Sequence, residues 1–281
     1  MDIVYEDDHI LIVNKPAGVL TVAGKDKSNN SLVQAVHDHC YRENDIQFQH
    51  ADHMVVHRLG MDLSGLLIFA KNIDTVRKLH THFRTRNVER TYEALVCGHV
   101  TKNKGRITLP LMRDYEHPLY MRVSTDQHQE VLIDLDPDVV GKKLLEQPKE
   151  CITEYKVLSR EELNGQPVTR LLLRSVSGRM HQLNCHLAAI GHPIVGDLTY
   201  GGINGMASPN GGLSDDELDY MIPKAFTLES NNRVSIEQQL RTSTSTNNEE
   251  TMTGTACHAK SIRFRHPITK KYVTFEAEAP F

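Results

Sequence analysis

Residues 55–71 read VVHRLGMDLSGLLIFAK, Val55 to Lys71. A polar stretch, His57-Arg58-Leu59-Gly60-Met61-Asp62, leads through Ser64-Gly65 into the apolar run Leu66–Ala70. That run has the length and composition of a buried strand. Asp62 before Ser64-Gly65 has the chemistry of a local turn, where a short carboxylate bonds nearby backbone. Upstream, residues 3–13 (IVYEDDHILIV) read as two short strands around Glu6-Asp7-Asp8, ending in the turn Lys15-Pro16-Ala17-Gly18. Ser31 to Cys40 has helical spacing with Ser31 as a candidate N-cap. Downstream, Asn72 or Asp74 caps a helix reaching about Arg86. Strands follow at Thr91–Val96, Gly105–Leu109, 153–158 and 168–176. A helix from His181 to Ile190 is stopped by Gly191-His192-Pro193, and Ser261 to Phe275 alternates like a hairpin around His266-Pro267. This order predicts an α+β fold, a mixed and mostly antiparallel sheet with flanking helices.

At 281 residues the chain is long enough for a full core, and it is read as a single domain over 1–281. Residues 203–254 differ in kind, with stretches such as SPNGG and RTSTSTNNEETMTG. They carry eight acids against three bases and too little apolar surface to order themselves. They read as a low-complexity acidic insertion, disordered apart from one short helix at Asp215–Ala225. The net charge of −4 arises largely there, so the remaining body is near neutral and neither supports nor excludes RNA. No run of about eighteen apolar residues is present, which argues against a membrane span. The five cysteines lack any C-x-x-C pair, and the N-terminus lacks a secretory or transit signature. An intracellular, reducing compartment is expected, without resolving cytoplasm from organelle.

Sixteen histidines raise the question of a metal. His37-x-His39, His50-x-x-His53 and His80-x-His82 are the closest groups, but none stands with Cys or Glu at zinc spacing. No phosphate-binding loop, dinucleotide fingerprint or nucleophile elbow is present. No metal and no cofactor are expected.

The residues quoted above resemble the signature of the RluA family of RNA pseudouridine synthases, HRLD-x-x-[ST]-S-G followed by an apolar strand. Four further elements carry the resemblance in the same order. They are YEDDHILIVNKPAG near the start, RTYEALVCGHV around Tyr92, VSGRMHQLNCHLAAIGHPIVGD, and the closing CHAKSIRFRHPITKKYVTFEAEAPF. The short form, without an S4 RNA-binding domain, is closest to the RluA subtype. The resemblance implies isomerisation of uridine to pseudouridine in rRNA or tRNA, no cofactor, an RNA partner, no membrane, and a monomer.

In that family an aspartate supports the reaction at C1′, an arginine pairs with it, and a tyrosine stacks on the base. Here Tyr92 stands in the tyrosine's place, Gly60 in the aspartate's and Asn184 in the arginine's. The two departures are coherent, because an arginine without its carboxylate would be a stranded buried charge. Asp62, two residues on, is the candidate substitute carboxylate; its alternative is the local turn bond. The resemblance gives Arg58 an RNA role, against a salt bridge to Asp62 or another acid. His57 reads as a structural hydrogen-bonding residue rather than a general base. Arg179 is a candidate for the RNA backbone, or a surface cation. With Asn184, these residues form the expected RNA-binding set. Two readings follow: an active synthase with a displaced carboxylate, or a catalytically silent RNA-binding descendant of the family.

Overall fold

The computed structural model describes residues 1–24, 31–42, 48–201, 207–225 and 254–281. They form two compact units, Met1–Glu93 with Cys257–Phe281, and Ala94–Ala256. The first unit opens with β1 (Asp2–Glu6), β2 (Ile10–Lys15), α1 (Leu32–Arg42), β3 (Ser64–Ala70) and α2 (Ile73–Arg84). Strand β4 (Val88–Cys97) then carries the chain into the second unit. The expected hairpin at the start is β1–β2, antiparallel. Its turn is built on Asp7, whose carboxylate accepts the N–H groups of His9 at 2.8 Å and Ile10 at 2.9 Å. Of the two candidate caps for α2 it is Asn72 that acts, its Oδ1 accepting the Thr75 N–H at 3.0 Å. The helix closes at Arg84, earlier than expected, and Arg86 takes the left-handed conformation with φ 58°.

The second unit holds β5 (Lys104–Thr108), β6 (Leu111–Arg113), β7 (Met121–Val123), α3 (Asp126–Ile133) and α4 (Pro137–Val140). It continues with β8 (Ile152–Leu163), β9 (Gln166–Ser175), α5 (Gln182–Ala189) and α6 (Asp215–Ala225). β5 pairs with β8, and β8 with β9, all antiparallel. The β8–β9 hairpin is longer than its sequence suggested. Asn164 and Gly165 both have positive φ, 52° and 69°, which is the two-residue turn that matches strand twist. The outer half, with Arg160, Glu161 and Glu162, alternates between half-buried and exposed, so no apolar stripe announced it. The small β6–β7 hairpin, α3 and α4 were not anticipated either; all are too short to show a hydrophobic period. Thr125 caps α3 by accepting the His128 N–H. The helix expected at 215–225 is α6. Of the segment read as an insertion, residues 203–206 and 226–253 lie outside the described residues.

All eight residues of α5 are buried, His186 among them. Its Nε2–H donates to the Leu109 carbonyl at 3.1 Å, and burial pushes the imidazole down to about 4. A folded pKa below the unfolded 6.5 means stability that is present above pH 6.5 and is lost as pH falls toward 4. Between those limits the group removes roughly 3 kcal/mol on acidification. Denaturant titrations at pH 7 and pH 4.5 are expected to show a shallower acid loss for His186→Gln than for the wild type.

The chain returns to the first unit as β10 (Cys257–Arg265) and β11 (Tyr272–Glu276). In this unit β1, β2 and β3 are joined antiparallel, β3 and β10 run parallel, and β11 pairs with β10. The first half of β4 meets β10 through Thr91 Oγ1 and Ser261 Oγ at 2.8 Å and through Glu93 and Lys260 at 2.6 Å. Strand β3 is buried along its whole length, so the loop that precedes it starts from a fixed anchor. The observed class is the expected one, a mixed and mostly antiparallel sheet with helices. Among the described residues no helix is long and apolar enough to cross a membrane. All five cysteines are buried, and none is in a disulfide.

Candidate functional site

In the first unit the loop 57–63 is held by the turn that ends β2. The Gly18 N–H donates to the Met61 carbonyl at 2.8 Å, with Gly18 at φ 82°. Thr21 Oγ1 donates to the Leu59 carbonyl at 2.8 Å and accepts the Leu59 N–H at 3.3 Å. Lys15, the last residue of β2, is completely buried. Its ammonium donates to the carbonyls of Pro16 and Val19, both at 2.9 Å, and of Met61 at 3.2 Å. An ammonium has three protons, so three carbonyls satisfy it. Burial pushes its pKa down to about 8, and the Asp62 carboxylate pulls the other way. A buried cation therefore lies within electrostatic reach of Asp62 and ties down the residue before it. The sequence alone assigns Lys15 no role beyond the Lys-Pro turn; its signal is a lysine closing a strand that is apolar from Ile10 to Val13.

The loop turns tightly at Gly60, with the Leu63 N–H donating to the Gly60 carbonyl at 3.3 Å. Gly60 is exposed and Asp62 half-buried. A Cβ built on Gly60 would lie 2.7 Å from Asp62 Oδ1. The carboxylate of Asp62 thus occupies the space into which a side chain at position 60 would project. Tyr92 lies on β4 with 6% of its surface exposed, and burial raises its hydroxyl pKa.

His57 is half-buried, stacked on Phe83 with ring centroids 4.7 Å apart. Its Nε2 accepts the Ile68 N–H at 3.0 Å, which assigns the ring proton to Nδ1. Burial, with Arg90 adding to it, holds the imidazole down to about 3. The ring is neutral and joins the loop to β3. Arg58 is exposed and, among the described residues, makes no ion pair, so the salt bridge to Asp62 that the sequence allowed is not formed. Ser64 Oγ and His258 Nδ1, both buried, meet at 2.8 Å and join β3 to β10.

The second unit holds the other residues singled out by sequence. Arg179 is exposed in the turn before α5, and its N–H donates to Gln182 Oε1 at 3.0 Å. Gln182 also donates to the Ile152 carbonyl at 2.8 Å and to Thr153 Oγ1 at 3.0 Å, a structural use of all its amide atoms. His181 has φ 50° and bonds the Tyr200 hydroxyl at 3.1 Å. Asn184 is buried, and its Nδ2 donates to Asp197 Oδ2 at 2.8 Å. Asp197 Oδ1 in turn accepts the N–H groups of Thr199 at 2.9 Å and Tyr200 at 3.0 Å. Asn184 is thus committed to an internal carboxylate rather than presented at a surface. Asn184→Ala removes a donor from buried Asp197 and is expected to lower stability by about 1–3 kcal/mol in a denaturant melt.

Among the described residues no group of three or more His, Cys, Asp or Glu side chains is placed to hold a metal ion. The loop in the first unit offers a half-buried carboxylate, a buried ammonium and an exposed arginine, and Tyr92 is buried on β4 of the same unit.

A family model described as RNA pseudouridylate synthase matches residues 9–189. The chain is 36% identical over 231 residues to the dual-specificity RNA pseudouridine synthase RluA of Vibrio parahaemolyticus, covering 82% of this chain and 81% of that protein. It is 29% identical over 285 residues to the protein of the same name from Pasteurella multocida, covering 100% and 94%. Among solved structures, human RNA Pseudouridylate Synthase Domain Containing 1 superposes with a TM-score of 0.62 at 24% identity, covering 100% of this chain and 84% of that one. That last likeness is one of fold.

Proposed function

Because this chain belongs to the RNA pseudouridylate synthase family, we propose that it isomerises uridine to pseudouridine in structured ribosomal or transfer RNA, with Asp62 supplying the carboxylate that the family carries two residues earlier. The observation behind this is the position of Asp62 Oδ1, 2.7 Å from where a Cβ on Gly60 would lie. A displaced residue thereby brings its charge into the vacated space.

The reaction breaks the C1′–N1 bond, turns the uracil and joins C1′ to C5. The C5 proton leaves and N1 gains one, so atoms balance without a co-reactant. Positive charge develops at C1′ as the glycosidic bond breaks, and a carboxylate fixed beside it lowers the barrier. Lys15 acts as a positioning residue, its ammonium holding the carbonyl of Met61, the residue before Asp62. Tyr92 stacks on the uracil ring. The base must leave its helix to reach such a site. Arg58, exposed and without an ion pair among the described residues, enters the space the base leaves. Arg179 contacts the RNA backbone. His57 contributes by holding the loop, since its Nε2 bonds the backbone of β3, while Asn184 is bonded to Asp197 within the second unit.

The test is to incubate purified protein with ribosomal and transfer RNA lacking modifications and to quantify pseudouridine by mass spectrometry of the nucleosides. Formation in a discrete position is the expected result. RNA binding without any pseudouridine would overturn the proposal in favour of a silent RNA-binding protein.

A further inference from the structure

The two faces of β4 within the first unit are treated differently. On one face every polar side chain has a partner from β10: Glu89 with Arg263 at 3.7 Å, Thr91 with Ser261 at 2.8 Å and Glu93 with Lys260 at 2.6 Å. Arg90 and Tyr92 alternate with these residues, so they project to the opposite face, side by side. The acids of this part of β4 are therefore already matched by β10, and Arg90 is left with none. Among the described residues it makes neither an ion pair nor a hydrogen bond.

Arg90 is half-buried, its guanidinium 5.6 Å from the centroid of the Phe83 ring, which in turn stacks on His57. Burial sets the direction of the pKa shifts at His57 and Tyr92, but the Arg90 charge is felt at both. The cation thus stands between the loop that carries Asp62 and the tyrosine beside it on β4. Of its nitrogens only Nε is both buried and without a partner. The two Nη groups, also unbonded, keep accessible surface. Positive charge develops at C1′ in the isomerisation, and a bare guanidinium on the Tyr92 face would oppose it. An anion covering Arg90 removes that opposition. The RNA backbone supplies one at every nucleotide, and the guanidinium fork matches its oxygens.

We propose that Arg90 holds a phosphate of the RNA strand next to the uridine stacked on Tyr92, with its two Nη groups donating to the phosphate oxygens and the Phe83 ring backing the guanidinium. This rests on the function proposed above only in taking RNA as the substrate.

Filter binding of unmodified ribosomal and transfer RNA across a salt series tests this on the full chain. Arg90→Gln is expected to weaken binding by about tenfold or more, the worth of one charge-assisted hydrogen bond. Its plot of log affinity against log salt should be shallower by about 0.7–0.9, the counterion release of one phosphate contact. Arg90→Lys keeps the charge and should keep the slope while losing part of the affinity. Phe83→Leu removes the ring behind the guanidinium but not the charge, so its slope should match wild type even if its melting temperature falls. An Arg90→Gln slope equal to wild type would overturn the proposal. So would a Phe83→Leu slope as shallow as that of Arg90→Gln, which would make Arg90 a packing residue. Binding is read without turnover, so either outcome is separate from a failure to isomerise, which leaves the slopes in place. Wild-type protein that binds no RNA would remove both readings at once.

Discussion

Asp62→Asn is expected to lower pseudouridine formation by at least about 10²–10³-fold, the scale on which a fixed transition-state charge partner acts. The change keeps the side chain's shape and removes only its charge. The loop itself is held by other bonds, namely Gly18 and Lys15 on the Met61 carbonyl and Thr21 on Leu59. RNA affinity and melting temperature should therefore stay close to wild type while turnover collapses. Single-turnover assays at saturating enzyme separate the two. Full activity in Asp62→Asn would show that the carboxylate is elsewhere.

A second variant sharpens the result. Gly60 does not have a positive φ, so a side chain is compatible with the backbone there, but its Cβ would meet Asp62 Oδ1 at 2.7 Å. Gly60→Asp alone forces two carboxylates into one space and is expected to impair the enzyme through like-charge repulsion. Gly60→Asp in the Asp62→Asn background removes that conflict and is expected to restore part of the lost activity. Rescue would establish that positions 60 and 62 supply the same group.

The sequence made this site half-legible. The signature placed the loop before β3 and identified Asp62 as the nearest acid, because an extended backbone brings residues two apart to one side. A local turn at Asp62 was legible in the letters, but its closure from Leu63 N–H to the Gly60 carbonyl, with the Asp62 carboxylate over Gly60, was not. Lys15 was passed over because a lysine after an apolar strand ordinarily marks a solvent-exposed end. Its burial depends on three carbonyls, one of them 46 residues away. Asn184 was read as the neutral remnant of a lost ion pair. The structure adds its partner, Asp197, which no local spacing indicates. Fold elements were legible where a segment is buried throughout, as in β3 and α5, and where a cap or turn residue punctuates them, as at Asn72. They are not legible where segments are short, as in β6, β7 and α3, the last two joined by the buried Arg122–His128 bond.

Gly65→Ala is expected to unfold the first unit. At φ 115° this residue lies where an L side chain is strained, a cost of about 1–3 kcal/mol by itself. The larger effect is steric. Gly65 pairs with Ala259 where β3 and β10 run parallel, and a Cβ would be driven into the Ala259 backbone, its Cα 2.7 Å away. Backbone in a buried strand cannot step aside as a flexible side chain can, so the strands must separate or the register must change. The two terms together place the loss above about 4 kcal/mol, the range of the most damaging substitutions. Gly18→Ala is the control: its φ of 82° brings the same kind of strain, but nothing lies within 4 Å of its Cβ. It should cost only about 1 kcal/mol or somewhat more. Soluble yield and denaturant melts of the two variants distinguish strain from collision. If Gly65→Ala melted within about 1 kcal/mol of Gly18→Ala, the close approach of β3 to β10 would not be what requires glycine there.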